Sequence, residues 1–346
     1  MVELIVSVAL ATFVVIGLYG VFTIQSRQLM TQDMRMEMNQ NGRFAMEILS
    51  RSIRMAGFGS TGLIYGEMGL TGDADSLPVV ISSDSATTNG GDAITVAYME
   101  PSLVMDTTYS TIEACGTTSI TFNPNHLDHF NKLMQFRSGD MLLCQDYAAI
   151  GAPESYLWSI TSDAASSTPY GTVNISATAS SLADYTTVCP SGENLTPVMR
   201  CSKGQVITFY IDDTDDAVGP GTPTHPVLMM DLNRNYPNND DVPLVDNVED
   251  LQFQYCVDTG GGDTTNCRLP ASWTNTLTRT EITNLWAVRI SLTIRSHKEN
   301  PEGFTWSNNV RPALANNSAG TTADGYYRNS MTTEVTVRNL RLLSSN

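Results

Sequence analysis

The chain opens with MVELIVSVALATFVVIGLYGVFTI, and from Leu4 to Ile24 it runs 21 residues without Asp, Glu, Lys, Arg, Asn, Gln or Pro. As an α-helix this stretch is about 31 Å long, which matches the hydrocarbon core of a bilayer. The run therefore predicts a membrane-spanning helix. A secretory signal would carry a basic segment before a shorter apolar core and a small-residue cleavage site after it. Here nothing basic precedes the run, and Gln25-Ser26-Arg27 follows it. One charged side chain, Glu3, stands at its entrance. An ionisable group at the edge of such a segment is costly enough to imply a partner.

Residues 25–57 lack Pro and are rich in Met, Leu, Gln, Arg and Glu, all good helix formers, so the helix is expected to continue as one rod over residues 1–57. Met30, Met34, Phe44, Ala45, Ile48, Leu49 and Ser52 recur mainly at three, four and seven, which makes the second half amphipathic. Arg27, Arg35, Arg43 and Arg51 recur every eight residues and read as a solvated face, with Glu47 and Arg51 spaced as an i,i+4 pair. The alternative is that they meet acidic groups on neighbouring copies. Gly17, Gly20 and Gly42 are the weak points of the rod. It closes at Gly57-Phe58-Gly59-Ser60-Thr61-Gly62, formally a GxGxxG. A dinucleotide fingerprint opens a helix after a strand, whereas these glycines end one, so they read as a C-terminal cap.

Charge is distributed unevenly. The net formal charge is −17, yet residues 27–60 carry +2, which with Glu3 set apart leaves −18 on residues 61–346. A surface of that sign repels phosphates, so nucleic acid is not expected as a partner. Six cysteines at 115, 144, 189, 201, 256 and 267 include no CxxC, and an even count points to an oxidising compartment. Short loops close most easily, which favours the local pairs Cys115–Cys144, Cys189–Cys201 and Cys256–Cys267.

From residue 58 to 346 the texture is Gly, Ser, Thr, Asn and Asp with short strands between, expected at 93–99, 206–212, 226–231, 250–257, 287–296 and 334–340. In AVRISLTIRS, Val288, Ile290, Leu292 and Ile294 face one way and Arg289, Ser291, Thr293 and Arg295 the other, as in a half-buried antiparallel strand. Residues 61–92, 161–188 and 307–330 read as long surface loops. The expected fold class is α+β: a long N-terminal helix carrying a β-rich, disulfide-bonded head with antiparallel sheet.

Chemical constellations are few. His126-Leu127-Asp128-His129 has no third spaced ligand and reads as a loop. Asp212, Asp213, Asp215 and Asp216 resemble half a calcium loop but lack the glycine and distal Glu of an EF-hand, so they read as a solvated acidic turn with weak calcium binding as the alternative. No GxSxG, HExxH, Walker loop or CxxCH occurs, and neither enzyme activity, cofactor nor metal is expected.

These features converge on a resemblance. MVELIVSVALATF, a lone Glu before a pure apolar span, with a Met/Arg-rich amphipathic continuation, resembles the N-terminus of type IV pilins. The stretches NGRFAMEILSRSIRMAGFG, GDAITVAYME, VEDLQFQYCVD, WAVRISLTIRS and TTEVTVRNL look like those of large PilW-like pilins. The resemblance implies a structural subunit held in the bacterial inner membrane by its helix and then assembled into an extracellular filament with copies of itself and other pilins. It also implies a prepilin peptidase, N-terminal methylation, a mature N-terminus two residues upstream of Met1, and inner-membrane assembly machinery. Leu4, Val8, Phe13, Ile16, Gly17 and Gly20 would line the filament core, and Glu3 would neutralise an N-terminal amine there and fix axial register. Pilins often carry a Pro in the apolar helix; this chain has none, and Gly17 with Gly20 would take that part. Whether the subunit primes assembly or repeats along the shaft, and whether the filament serves adhesion or motility, stays open. The alternatives are a type II secretion pseudopilin and a membrane-anchored periplasmic binding protein or enzyme.

Overall fold

The computed structural model describes residues 2–59, 63–65, 76–78, 80–86, 90–103, 110–115, 119–124, 126–146, 154–166, 171–179, 199–212, 225–232, 241–258, 267, 273–282, 284–299, 310–321, 323–337 and 339. The helix α1 spans Val2–Met55. The strands that follow are β1 (Leu63–Tyr65), β2 (Ser76–Pro78), β3 (Val80–Ser83), β4 (Ala93–Met99), β5 (Ser110–Cys115), β6 (Ser119–Pro124), β7 (Met141–Asp146), β8 (Glu154–Ile160) and β9 (Ala165–Ser166). They continue with β10 (Val173–Ala179), β11 (Met199–Asp212), β12 (Val227–Asp231), β13 (Val242–Asp246), β14 (Val248–Val257), β15 (Trp273–Thr274), β16 (Leu285–Arg295) and β17 (Arg328–Thr336). Two short helices, α2 (Leu127–Leu133) and α3 (Arg279–Ile282), interrupt them. The fold class is the expected one: a long helix and a β-rich head.

Among the described residues the strands form two sheets. The larger runs β13-β12-β11-β7-β8-β10-β6-β5, with β4 also paired to β11; the smaller is β15-β14-β16-β17, antiparallel throughout. The back half of α1 is built into the head, because Met38, Ala45, Met46, Leu49, Ile53 and Ala56 share one apolar core with Leu251, Phe253 and Tyr255 of β14 and Val288, Ile290, Leu292 and Ile294 of β16. The buried stripe thus follows Met34, Met38, Gly42, Ala45, Leu49 and Ile53, a clean three-and-four spacing. Met30 and Phe44, expected inside, are exposed: Met30 lies one turn before Met34, where the head first covers the helix, and Phe44 points away from the buried stripe. At Gly42 a Cβ would lie 2.6 Å from Met331 Sδ, so the missing side chain is what lets α1 lie against β17.

The helix ends as its glycines suggest. Gly57 and Gly59 both take positive φ, 75° and 74°. The departing chain then pairs alongside β4, with Gly57 N–H donating to Ala97 O at 2.9 Å and Met99 N–H donating to Phe58 O at 2.8 Å. The free carbonyls of the last turn are met from the far end of the chain: the Asn339 side-chain amide lies 3.1 Å from Arg54 O and 3.4 Å from both Met55 O and Ala56 O.

Three sequence expectations are corrected. Expected loops at 61–92, 161–188 and 307–330 contain β1, β2, β3, β9, β10 and the start of β17. The last strand runs Arg328–Thr336 rather than 334–340, since its polar alternation hid it. The polar side of β16 is also buried: Ser291 and Thr293 bond Thr332 and Ser330 across to β17. On the same side Arg311 reaches Asp250 of β14 at 2.5 Å, while Asn317 and Gln252 donate to that carboxylate at 3.1 and 3.0 Å. Residues 310–320 act as a strap over this face.

The disulfide expectation is corrected too. Cys144 on β7 and Cys201 on β11 stand directly opposite in the antiparallel register, with Cα atoms 4.0 Å apart, and are bonded. That bond excludes both Cys115–Cys144 and Cys189–Cys201. Loop-closure entropy favours near neighbours in the unfolded chain, but strand pairing decides which thiols meet. Cys256 and Cys267 are bonded, Cα atoms 5.7 Å apart. The side chains of Cys115 and Cys189 lie outside those described.

Candidate assembly surface

The functional question turns on the part of α1 that the head does not cover. From Val2 to Ile24 every large apolar side chain is more than half exposed, reaching 75% at Phe13, and the first residue of the helix buried by the head is Met34. An apolar surface of this extent on a single helix requires either a bilayer or other helices around it. Leu4 (68%) and Val8 (57%) lie one turn apart on one side of the rod. Phe13, Ile16, Gly17 and Gly20 lie on another, spaced by three and four, and both glycines face open space, with no heavy atom within 4 Å of where a Cβ would stand. Small residues set in an apolar helix allow a second backbone to approach closely.

The polar atoms of this half are prepared for an apolar environment. Ser7 Oγ donates to Leu4 O at 2.9 Å, Thr12 Oγ1 to Val8 O at 2.8 Å, and Thr23 Oγ1 to Tyr19 O at 2.8 Å. Each hydroxyl is thereby satisfied within its own helix and asks nothing of its surroundings. Sequence reasoning passed over these three residues, although hydroxyls isolated in an apolar run were the signal. Glu3 is left as the one charged side chain of the segment, exposed in the first turn, where the helix dipole favours negative charge.

Where α1 meets the head, side chains from both sides lock it. His297 Nδ1 lies 3.0 Å from Glu37 Oε2, Asn329 Nδ2 donates to Asn39 Oδ1 at 2.9 Å, and the Arg35 guanidinium sits 5.9 Å from the centre of the Tyr327 ring. Beside them Arg328, nearly buried, donates to Glu249 at 2.6 and 2.8 Å and to Asp324 at 2.7 and 2.5 Å. The Arg328 contacts hold Asp324 below the usual carboxylate range although its partial burial works the other way. The four arginines of the rod do not share one face, because a step of eight residues turns the helix by about 80°.

The remaining candidates stay apart. His126 caps α2, its Nδ1 accepting from Asp128 N–H at 3.2 Å, while Asp128 pairs with Lys132 at 3.0 Å and His129 is buried. Asp212 ends β11; Asp213, Asp215 and Asp216 lie outside the described residues. Among the described residues no three His, Cys, Asp or Glu side chains converge as metal ligands.

A protruding apolar helix is continuous with a stem built into the core of a β-rich head, which gives the chain a stem-and-head architecture. Residues 208–339 match the family model for the type IV pilus-assembly protein W, and over this region the chain is PilW-like, as the sequence suggested. The match starts within β11, takes in the whole four-stranded sheet with the strap over it, and ends at Asn339, the residue that caps the stem. Among solved structures, a type IV-like pilin from Thermus thermophilus aligns with 87% of this chain and 96% of its own at 12% identity, with a TM-score of 0.32, too low to bear on the fold. No curated protein matches the chain.

Proposed function

We propose that this chain is a structural subunit of a type IV pilus, held in the inner membrane by residues 4–24 and transferred into an extracellular filament, where the same residues bundle with those of neighbouring subunits. The observation that carries this reading is a fully exposed apolar helix rooted in the core of its own head, so that a pull on the head is transmitted to the membrane segment. The PilW match over residues 208–339 supports it independently, because it does not include that helix. The role is one of binding and shape rather than catalysis. Its partners on this reading are copies of itself, other pilins, the inner-membrane assembly machinery, and a prepilin peptidase that frees and methylates the N-terminal residue.

Glu3 then has a defined task. In the helical bundle of a filament the N-terminal amine enters a low-dielectric interior, where an unpaired charge costs several kcal/mol. A carboxylate from the same or an adjacent subunit offsets it, and only in correct axial register. Glu3→Ala should leave the head folded, with an unchanged melting temperature, and lower the amount of the chain recovered in sheared filaments at least about tenfold. Normal incorporation of that variant would refute the role given to Glu3. Cryo-electron microscopy of filaments from the source cells tests the reading as a whole: helical density fitting this chain supports it, and retention of all the protein in the membrane opposes it.

A further inference from the structure

Five side chains in the apolar half of α1 carry polar atoms: Glu3, Ser7, Thr12, Tyr19 and Thr23. The hydroxyls of Ser7, Thr12 and Thr23 are committed to carbonyls of their own helix. Glu3 and Tyr19 are not, and neither has a hydrogen-bond partner among the described residues. The two are chemically complementary: an ionised carboxylate only accepts, with room for several donors, and a phenol hydroxyl has one proton to donate. Tyr19, 73% exposed, holds that hydroxyl at the end of a rigid ring, where no carbonyl of its own helix can be reached. In the bilayer this is harmless, because Tyr19 stands about 8 Å before the end of the run at Ile24, close enough for headgroups to solvate its hydroxyl. In a bundle of helices the headgroups are gone, and an unmet hydroxyl is costly.

The pair cannot form within one chain. The sequence separation of Glu3 and Tyr19 places them about 24 Å apart along α1 and about 160° apart around it. Resting on the pilus-subunit reading, we infer that the Tyr19 hydroxyl of one copy donates to the Glu3 carboxylate of a second copy, and that this bond sets their axial offset. The second copy then stands about 24 Å further toward the heads. Its carboxylate keeps a second oxygen for an N-terminal amine, so the two tasks of Glu3 are compatible. The same offset brings Val14 of the raised copy level with Met30, which lies within about 20° of Tyr19 around the helix. Met30 is 56% exposed beyond the span, and the contact covers that apolar side chain. Because Glu3 and Tyr19 lie on nearly opposite sides, each copy offers its hydroxyl to one neighbour and its carboxylate to another. Such a contact is heterologous, and with an axial step it cannot close into a ring, so it propagates as a filament.

The test is Tyr19→Phe in the full-length chain in its own cells, which removes the hydroxyl and keeps the ring. Recovery in sheared filaments should fall about tenfold, while the amount in membranes and the melting temperature of the head stay unchanged. In a Glu3→Ala background the same substitution should lower recovery no further, since the acceptor is already gone. Helical density of wild-type filaments should place the Tyr19 hydroxyl about 3 Å from a Glu3 carboxylate of a second copy offset by about 24 Å. Undiminished recovery of Tyr19→Phe, or an equal further loss in the Glu3→Ala background, would overturn the inference and leave the pilus reading standing. So would density that puts the hydroxyl against another pilin, a backbone carbonyl or water. Absence of the wild-type chain from filaments would overturn both.

Discussion

Asp92 stands at the seam between the two sheets. Its own N–H donates to Leu251 O at 2.8 Å, and its carboxyl accepts from Phe253 N–H at 2.9 Å and Ser85 N–H at 3.1 Å, so one side chain ties the β3–β4 turn to β14. Burial pushes its pKa up to about 7, with the nearby Asp84 carboxylate adding to the rise and the two amide bonds opposing it. An acid whose pKa is higher folded than unfolded stabilises the fold most below its ordinary value of 3.8, and that contribution is lost as pH rises through about 7. A gap of this size corresponds to a few kcal/mol, on the order of 1.4 per unit. Wild type should therefore gain stability relative to Asp92→Asn as pH falls from 8 to 5, measured by urea unfolding of both proteins at each pH. A difference that does not change with pH would mean that Asp92 titrates normally. Asn339 offers a simpler case. Asn339→Ala removes the amide that meets the last carbonyls of α1, at a cost of about 1 kcal/mol, a drop of a few degrees in melting temperature.

Strand pairing rather than sequence distance decides the cross-links of the head. Peptide mapping without reduction should recover Cys144 joined to Cys201, 57 residues apart, and Cys256 joined to Cys267; a Cys115–Cys144 product would contradict the β7–β11 register. The same contrast between local and distant information explains which elements the sequence disclosed. The apolar run, the length of α1, its glycine stop and the strands β4, β14 and β16 were legible because their patterns are continuous and local. Others were not, among them β1, β2, β3, β5, β6, β7, β8, β9 and β10, since segments this short show little alternation. The polar face of β16 misled for another reason. Its Ser291 and Thr293 are buried and bond Thr332 and Ser330 of β17, and the Arg311–Asp250 pair on the same side joins residues 61 apart, which nothing near β16 announces. At the assembly surface the apolar side chains and Glu3 were plain from composition, whereas the contacts of Glu37 with His297 and of Asn39 with Asn329 required knowing which rotation of the rod faces the head.

At the scale of the whole molecule, α1 serves two solvents with one continuous helix. Its first half contributes nothing to the core of the head, because no described residue before Met34 is buried. Its second half contributes Met38, Ala45, Met46, Leu49, Ile53 and Ala56 to the largest apolar cluster. Deleting residues 2–24 should thus leave the melting temperature of the remaining chain within a few degrees of the full-length protein in detergent, while abolishing its recovery with membranes. Deleting residues 2–50 should prevent folding altogether. It strips Met38, Met46 and Leu49 from the core, each worth about 1.5–3 kcal/mol, and uncovers Phe253, Ile290 and Leu292 on the sheet they protect. That loss is comparable with the whole stability of a domain, typically about 5–15 kcal/mol. Far-ultraviolet circular dichroism and thermal unfolding of the two truncations, expressed to an oxidising compartment so that the disulfides form, measure both outcomes. Cooperative unfolding of the shorter chain would show that the stem is attached to the head rather than part of it, and a head so built could not carry its membrane segment into a filament by the route proposed.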